Sequence, residues 1–99
     1  MLLTVISFFD KQLKRYTSPG YDDHNDPETI KELVRTQIVK LDPIKRKVYE
    51  EKNLVVLGTF DTETGKHECH DPEFLLNCDE VISQVQDYER SKTTNSQKA

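Results

Sequence analysis

The distribution of apolar residues along the chain predicts two buried strands. Residues 2–9, LLTVISFF, are β-branched and aromatic with few polar interruptions, which is typical of a central strand. Residues 54–57 are apolar at four successive positions, so we expect a second strand that is covered on both faces. Phe8, Phe9 and Phe60 lie in or beside these runs and are expected in the core.

The second strand is predicted to continue into a hairpin. Gly58 interrupts the apolar run and indicates a bulge or a close approach of two backbones. Asp61 can accept hydrogen bonds from the backbone of a turn, and Gly65 can adopt a positive φ without steric cost. Residues 66–70 are therefore expected to return as the partner strand.

An amphipathic helix is predicted between the two strands, from Pro27 to Leu41. Asp26 can cap its first turn, and Pro27 suits the first helical position. The apolar positions recur at helical spacing and are Ile30, Leu33, Val34, Ile38 and Leu41. Pro43 ends the helix, because the residue before a proline disfavours the α region.

The remaining segments have weaker patterns. Residues 16–21 begin as a short strand that Pro19-Gly20 interrupts. Residues 43–52 leave two alternatives open, a short second helix or a basic loop held by its apolar residues, which are Ile44, Val48 and Tyr49. Residues 71–76 resemble a helical turn with a proline near its start.

The C-terminal part predicts a short helix followed by a disordered tail. Residues 79–88 carry a thin apolar stripe at helical spacing, whereas residues 91–99 have no large apolar side chain. The predicted fold is a single α+β domain over residues 1–90, with a small, mainly antiparallel sheet and one amphipathic helix packed on it. Residues 91–99 are the predicted tail.

Composition adds expectations about assembly and location. The chain has 99 residues, of which 34% are hydrophobic, so it can build one modest core. Low apolar content and the edges of a small sheet lead us to expect a homodimer. No apolar run approaches the length of a membrane span, and residues 1–9 lack the basic start of a secretion signal. We therefore expect no membrane partner and a cytoplasmic location.

Charge is unevenly distributed. The net charge is −4, yet residues 1–52 hold 10 of the 14 basic and 9 of the 18 acidic side chains, about +1, and the rest carries −5. The basic residues gather in two clusters, which we call the first basic cluster (Lys11, Lys14, Arg15) and the second basic cluster (Lys45, Arg46, Lys47), and Lys52 follows the second. Such clusters can bind phosphate, and the alternative is a solvated surface.

Two tyrosines accompany the first basic cluster. Tyr16 and Tyr21 flank Pro19-Gly20 directly after it. Aromatic rings beside cations suit single-stranded nucleic acid, whose bases stack on rings while its phosphates meet the cations. The alternative is that both tyrosines pack on the sheet edge with their hydroxyls in water.

Residue types that can serve in catalysis or metal binding are present, but their spacing in the sequence does not match that of a known kind of site. His67, Cys69, His70 and Cys78 are zinc-ligand types, but the paired short spacings of structural zinc sites are not met. Exposed histidines and reduced, apolar cysteines are the favoured interpretation. With three glycines, the chain has no phosphate-cradling loop. We therefore expect no enzyme, no metal and no cofactor.

The order of these segments resembles the small non-structural protein of gokushoviruses, single-stranded DNA phages of the Microviridae. An apolar strand ends in aspartate at residues 5–10, an aromatic–proline segment follows at residues 16–21, and an amphipathic helix contains Arg35. The most specific part is a strand and hairpin whose matching residues are Leu54, Leu57, Gly58, Phe60, Asp61, Thr64 and Gly65. Pro72, after the return strand, also fits, and the resemblance covers about residues 3–76.

The resemblance implies a DNA-associated, non-structural role in replication and packaging of single-stranded genomes in the host cytoplasm, with single-stranded DNA or a replicative DNA complex as partner. The nucleic-acid-binding candidates are Lys11, Lys14, Arg15, Tyr16, Tyr21, Lys45, Arg46 and Lys47. The alternative is an adaptor that docks on a phage replication enzyme or the procapsid through its acidic C-terminal half, without DNA contact.

Overall fold

A computed structural model describes residues 1–98, with side chains described as far as residue 92. It confirms the α+β fold, an antiparallel sheet with helices packed on it. The strands are β1 (Leu2–Asp10), β2 (Arg15–Tyr16), β3 (Gly20–Asp22), β4 (Lys52–Asp61) and β5 (His67–Asn77). The helices are α1 (Pro27–Lys40), α2 (Pro43–Arg46) and α3 (Cys78–Lys98), and a 3-10 turn (Lys47–Tyr49) follows α2.

The sheet is built around β1, the predicted central strand. Its order is β2-β1-β4-β5, and β3 pairs with the N-terminal half of β1. All pairings are antiparallel. The predicted hairpin joins β4 to β5, with the Asp61 carboxylate accepting from the Glu63 amide at 2.9 Å and Gly65 at a φ of 73°.

The hydrophobic core lies between one face of the sheet and the helices α1 and α3. The predicted cap is present, since the Asp26 carboxylate accepts a hydrogen bond from the Glu28 amide at 3.1 Å. The α1 stripe buries Ile30, Val34 and Ile38. These pack with strand and α3 side chains in one cluster, whose further members are Leu54, Val56, Leu75, Leu76, Cys78, Val81 and Ile82.

The helical turn expected at residues 71–76 is wrong, because this segment continues strand β5. Leu76 pairs with Leu54 of β4, so the apolar end of the segment joins the core as strand. Pro72 lies where the register shifts between the Val56 and Gly58 pairings. A bulge tolerates the missing proline amide, and for this reason the proline does not end the strand.

Residues 16–21 belong to two short strands, β2 and β3, instead of one interrupted strand. Tyr16 pairs with Phe9 and Tyr21 pairs with Val5, on either side of a short link. Buried Ser7 holds this link, because its hydroxyl donates to the Thr17 carbonyl oxygen at 2.8 Å. The proline and glycine therefore separate two strands that pair with the same partner.

Of the two alternatives for residues 43–52, the structure has the short helix, but two of its three apolar residues do not hold it. Ile44 and Val48 are 77% and 63% exposed. Arg46 is buried instead, with its Nε donating to the Leu41 carbonyl oxygen at 2.9 Å and its guanidinium paired with Glu89 of α3. Tyr49 packs edge-on against Phe8, 5.7 Å between ring centroids.

The C-terminal helix α3 is longer than the predicted 79–88 segment. The backbone of residues 91–98 continues α3 where the disordered tail, residues 91–99, is predicted. Side chains from residue 93 onward lie outside the described part, so disorder of this segment stays a prediction. Over the described residues, none of the helices combines the length and apolarity that crossing a membrane requires.

Candidate nucleic-acid interface

The strand registers divide the sheet into a helix-covered face and a second face, which we call the open face. Because side chains alternate along a strand, Ile6, Phe8 and Leu54 point to the helices. Their neighbours Val5 and Phe9 therefore point the other way. Within the described part of the chain, no helix contributes to this open face.

Aromatic side chains are concentrated on the open face. The ring centroids of Tyr21 and Phe60 lie 5.5 Å apart, and those of Phe60 and His67 lie 4.5 Å apart. The Tyr21 hydroxyl is 3.1 Å from His67 Nε2, which ties β3 to β5 across the sheet. A second pair joins Phe9 and Tyr16 at 5.0 Å. These contacts hold two strips of aromatic surface at fixed positions.

The expectation that all three phenylalanines belong to the core needs correction. Phe8 packs against the helix-side core, whereas Phe9 and Phe60 are half-buried on the open face. Adjacent residues of one strand point to opposite faces, so Phe8 and Phe9 cannot share one core. Phe74, 59% exposed, pairs with Val55 and adds a further ring to the open face.

The sequence interpretation missed Phe74 and His67 as part of this surface. Asp71-Pro72 imitates a helix start and concealed that the segment is strand. Once β5 is placed, the pairings Phe60–His67 and Val55–Phe74 put both residues on the open face. Counting alternate side chains from the hairpin along β5 could have placed His67 on the open face. The same count fails for Phe74, because two register shifts lie in between or beside it.

Apart from His67, the open face presents uncharged residue types at its paired positions. The residues that the registers place on it are aromatic, aliphatic, hydroxyl, thiol or amide, and among these paired positions none is Asp, Glu, Lys or Arg. Asp10, Arg15 and Lys52 pair with each other on the opposite side of the sheet. A ligand on the open face would therefore meet rings first and charges only at the margin.

The first basic cluster lies at the β1–β2 turn, beside the Tyr16 end of the open face. Lys14 occupies the left-handed region with a φ of 55°, and its side chain is exposed. Arg15 is exposed and shares with Tyr16 an open cleft of about 390 Å³. The Asp10 carboxylate accepts from the Leu13 and Gln12 amides, which fixes the turn and lowers the pKa of Asp10.

Lys11 of the same cluster is held in an internal network. Its Nζ lies 2.7 Å from an Asp79 carboxylate oxygen and 3.2 Å from the Asn77 side-chain oxygen. Burial alone would raise the pKa of Asp79, but hydrogen bonds from Lys11 and the Glu51 amide outweigh it, so that pKa is lowered. Lys11 therefore joins β1 to the start of α3 and is not an open phosphate contact.

The structure separates the second basic cluster from the aromatic residues. Lys45 and Lys47 are exposed but lie on α2 and the following turn, on the helix side of the sheet. Arg46 is 3% exposed, and its donors meet Leu41 and Glu89. This burial weighs against the predicted phosphate contact of Arg46. Of the sequence candidates, Tyr16 and Tyr21 lie on the open face, and Lys14 and Arg15 lie at its margin. Arg15 belongs by register to the other side of the sheet but lines the same cleft as Tyr16 at the sheet edge.

The zinc-ligand types do not assemble. Cys69 pairs with Gly58 on the open face, whereas Cys78 is buried in the core on the other side of the sheet. Burial, and secondarily the charge of Asp79, raises the pKa of the Cys78 thiol to about 11. Among the described residues, the one group with ligand atoms close together is Asp22, Asp23 and His24, within 4.8 Å of one another. The His24 ring there already lies 2.6 Å from the Asp22 carboxylate.

Comparison with protein-family models, with curated proteins and with solved structures finds no match to this chain. The candidate interface therefore rests on its geometry, and the resemblance to the gokushovirus protein rests on the motif residues given above.

Proposed function

We propose that this chain is a non-enzymatic phage accessory protein that binds single-stranded DNA on the open face of its sheet, in genome replication and packaging. The observation that carries the proposal is a sheet face that none of the described helices covers and that holds exposed aromatic rings at fixed positions. Antiparallel sheets that present aromatic side chains are a recurrent platform for single-stranded nucleic acids, because each base can stack on a ring.

The geometry supports two stacking positions. Tyr21 is 52% exposed and is supported by Phe60 and His67, whereas Tyr16 is 46% exposed and is supported by Phe9. A ring that already packs against a neighbouring ring loses little conformational entropy when a base stacks on it. The free energy of stacking is therefore not offset by the cost of ordering the side chain. Their partners on β1, Val5 and Phe9, are four residues apart, which separates the two positions by roughly 13 Å along the strand.

The cations at the margin supply phosphate contacts to the Tyr16 position. Lys14 and Arg15 are exposed at the edge strand, and Arg15 lines the same cleft as Tyr16. A strand whose base stacks on Tyr16 would bring its phosphate to this cleft. Lys45 and Lys47 lie on the other side of the sheet and are assigned no role in this contact.

A titration of fluorescently labelled oligothymidylate tests the proposal. Tyr21→Ala is expected to weaken binding about fivefold to a hundredfold, the cost of one lost base stack. Tyr21→Phe retains the ring and should keep most of the affinity. Tyr88→Ala is the matched control, because Tyr88 is 68% exposed on the helix side and should not affect binding. Equal affinity of all variants would overturn the proposal.

The competing function, an adaptor without DNA contact, predicts no oligothymidylate binding at all. Deleting the acidic C-terminal residues 79–99 cannot separate the two functions, because Val81 and Ile82 belong to the core and their loss would unfold the domain. Point substitutions on each face of the sheet are the informative test.

Homodimerisation stays part of the proposal, but edge pairing is a poor route for it. The outer strand β5 carries Glu68, Glu73 and Pro72 and has two register shifts, all of which oppose strand addition. A dimer would more readily form through the open face. Sedimentation at micromolar concentration, with and without oligothymidylate, would show whether the dimer forms and whether DNA competes with it.

A further inference from the structure

A second surface lies on the helix side, in a groove between α1 and α3. Its volume is about 190 Å³, and the lining is Arg35, Val39, Val81, Gln84, Val85 and Tyr88. The floor is apolar, since Val81 is 2% exposed and belongs to the core. Val39 and Tyr88 form the rims and remain 49% and 68% exposed. The groove is thus an apolar slot bordered by one cation.

The cation is incompletely satisfied. The Nε of Arg35 is shielded from solvent and makes no hydrogen bond. A Glu32 carboxylate oxygen lies 3.4 Å from it, close enough for charge attraction but without hydrogen-bond geometry. The Arg35 side chain as a whole is 34% exposed, so a partner carboxylate can approach it in competition with Glu32.

We propose that this groove docks an amphipathic helix of a partner protein, with an apolar side chain seated over Val81 and Val85 and a carboxylate accepting from Arg35. Two packed helices offer a third helix a ready channel, in which apolar side chains at helical spacing find their pockets. Charge complementarity selects an acidic helix, because Arg35 is the charged residue that lines the groove.

The groove and the open face lie on opposite sides of the sheet. An acidic helix in the groove would therefore leave Tyr16 and Tyr21 accessible. One copy of the protein could hold single-stranded DNA on one side and a replication or packaging protein on the other. This docking function does not depend on the DNA function, and each can fail alone.

Glu32 acts as an internal competitor for Arg35. Its carboxylate is 61% exposed and sits one turn before Arg35 on the same helix. Removing its charge should strengthen docking, whereas removing the Arg35 charge should weaken it. This opposite pair of effects is specific to the proposed contact, since a purely apolar groove would respond to neither substitution.

The probe is a pair of synthetic amphipathic helical peptides of about 15 residues, long enough to form a helix on binding. They share leucines at i, i+3 and i+7 and differ at one flanking position, Glu in one and Gln in the other. Binding is followed by NMR, through the Arg35 Nε–Hε signal and the methyl signals of Val39, Val81 and Val85.

The Glu peptide is expected to shift these signals and to bind about tenfold more tightly than the Gln peptide. Glu32→Gln should widen the difference, Arg35→Gln should abolish it, and Arg35→Lys, which keeps the charge but lacks the planar guanidinium, should reduce it. Equal binding of both peptides, no binding at millimolar concentration, or shifts confined to the open face would overturn the proposal. Oligothymidylate affinity of Arg35→Gln should match that of the unmodified chain, which keeps this test separate from the DNA test.

Discussion

Arg46 belongs to the second basic cluster, but its contacts indicate that it stabilises the fold and does not bind DNA. It lies between two exposed lysines in the sequence, yet its side chain is 4% exposed. Its Nε donates to the Leu41 carbonyl oxygen at the end of α1, and its terminal nitrogens meet the Glu89 carboxylate of α3. Replacing it with Gln or Met should therefore destabilise the fold rather than weaken DNA binding.

The magnitude follows from these partners. Breaking a fully buried ion pair costs about 3–5 kcal/mol, because one charge is left without a partner. Glu89 is 47% exposed, so water can solvate its carboxylate after the substitution, and the cost falls below this range, to about 2 kcal/mol. Loss of the hydrogen bond to the Leu41 carbonyl adds about 1 kcal/mol. We expect Arg46→Met to lower the free energy of unfolding by about 3 kcal/mol.

Thermal and urea unfolding followed by circular dichroism measure this change. For a domain of this size, about 3 kcal/mol corresponds to a fall in Tm of roughly 12–24 °C. Lys45→Gln and Lys47→Gln are matched controls on the same segment and should stay within about 0.5 kcal/mol of the unmodified chain. An Arg46→Gln variant that unfolds like the unmodified chain but loses oligothymidylate would refute the structural role.

Two further predictions concern stability. Gly58→Ala should lower the free energy of unfolding by at least about 2 kcal/mol, because the new Cβ would lie 2.0 Å from the Glu68 carbonyl oxygen. Gly65→Ala should lower it by about 1 kcal/mol, because the position has open space but a φ of 73°. Equal urea midpoints of the two variants would contradict this prediction. Burial raises the pKa of Cys78 from 9.0 to about 11, so its thiol contributes about 2–3 kcal/mol to the free energy of unfolding at high pH. This contribution is complete below pH 9 and is lost as the pH rises through 11. Cys78→Ala should flatten that alkaline loss in urea titrations, leaving the smaller part that the raised pKa of Tyr49 contributes in the same direction.

Elements with a local signal could be predicted from the sequence. Asp26 and Pro27 mark the start of α1 by capping chemistry, and Ile30, Val34 and Ile38 form its buried stripe because their spacing matches the helical period. The β4–β5 turn depends on Asp61 and Gly65, both of which act within the turn itself.

Features set by pairing across the sheet were not predictable in the same way. Asp71-Pro72 has the local signature of a helix start, but the pairing of Leu76 with Leu54 decides its structure. Phe8 and Phe9 are equally apolar in the sequence, and only the register with β4 shows which one faces the helices. The burial of Arg46 depends on Glu89, 43 residues away, for which the sequence holds no local signal.

The balance of charge also predicts how DNA binding should respond to salt. Lys11, Arg46 and Lys52 are paired with carboxylates, and the open face has no Asp, Glu, Lys or Arg at its paired positions, so phosphate attraction there depends on Lys14 and Arg15 at its margin. With Lys14 and Arg15 as the two phosphate contacts, the logarithm of the affinity should fall with the logarithm of salt concentration with a slope of about −1.4. Tyr21→Ala should lower affinity by the same factor at every salt concentration, whereas Arg15→Gln should reduce the slope by about 0.7. A slope of −4 or steeper would mean that phosphate contacts dominate, and stacking on the open face could then not be the main source of affinity.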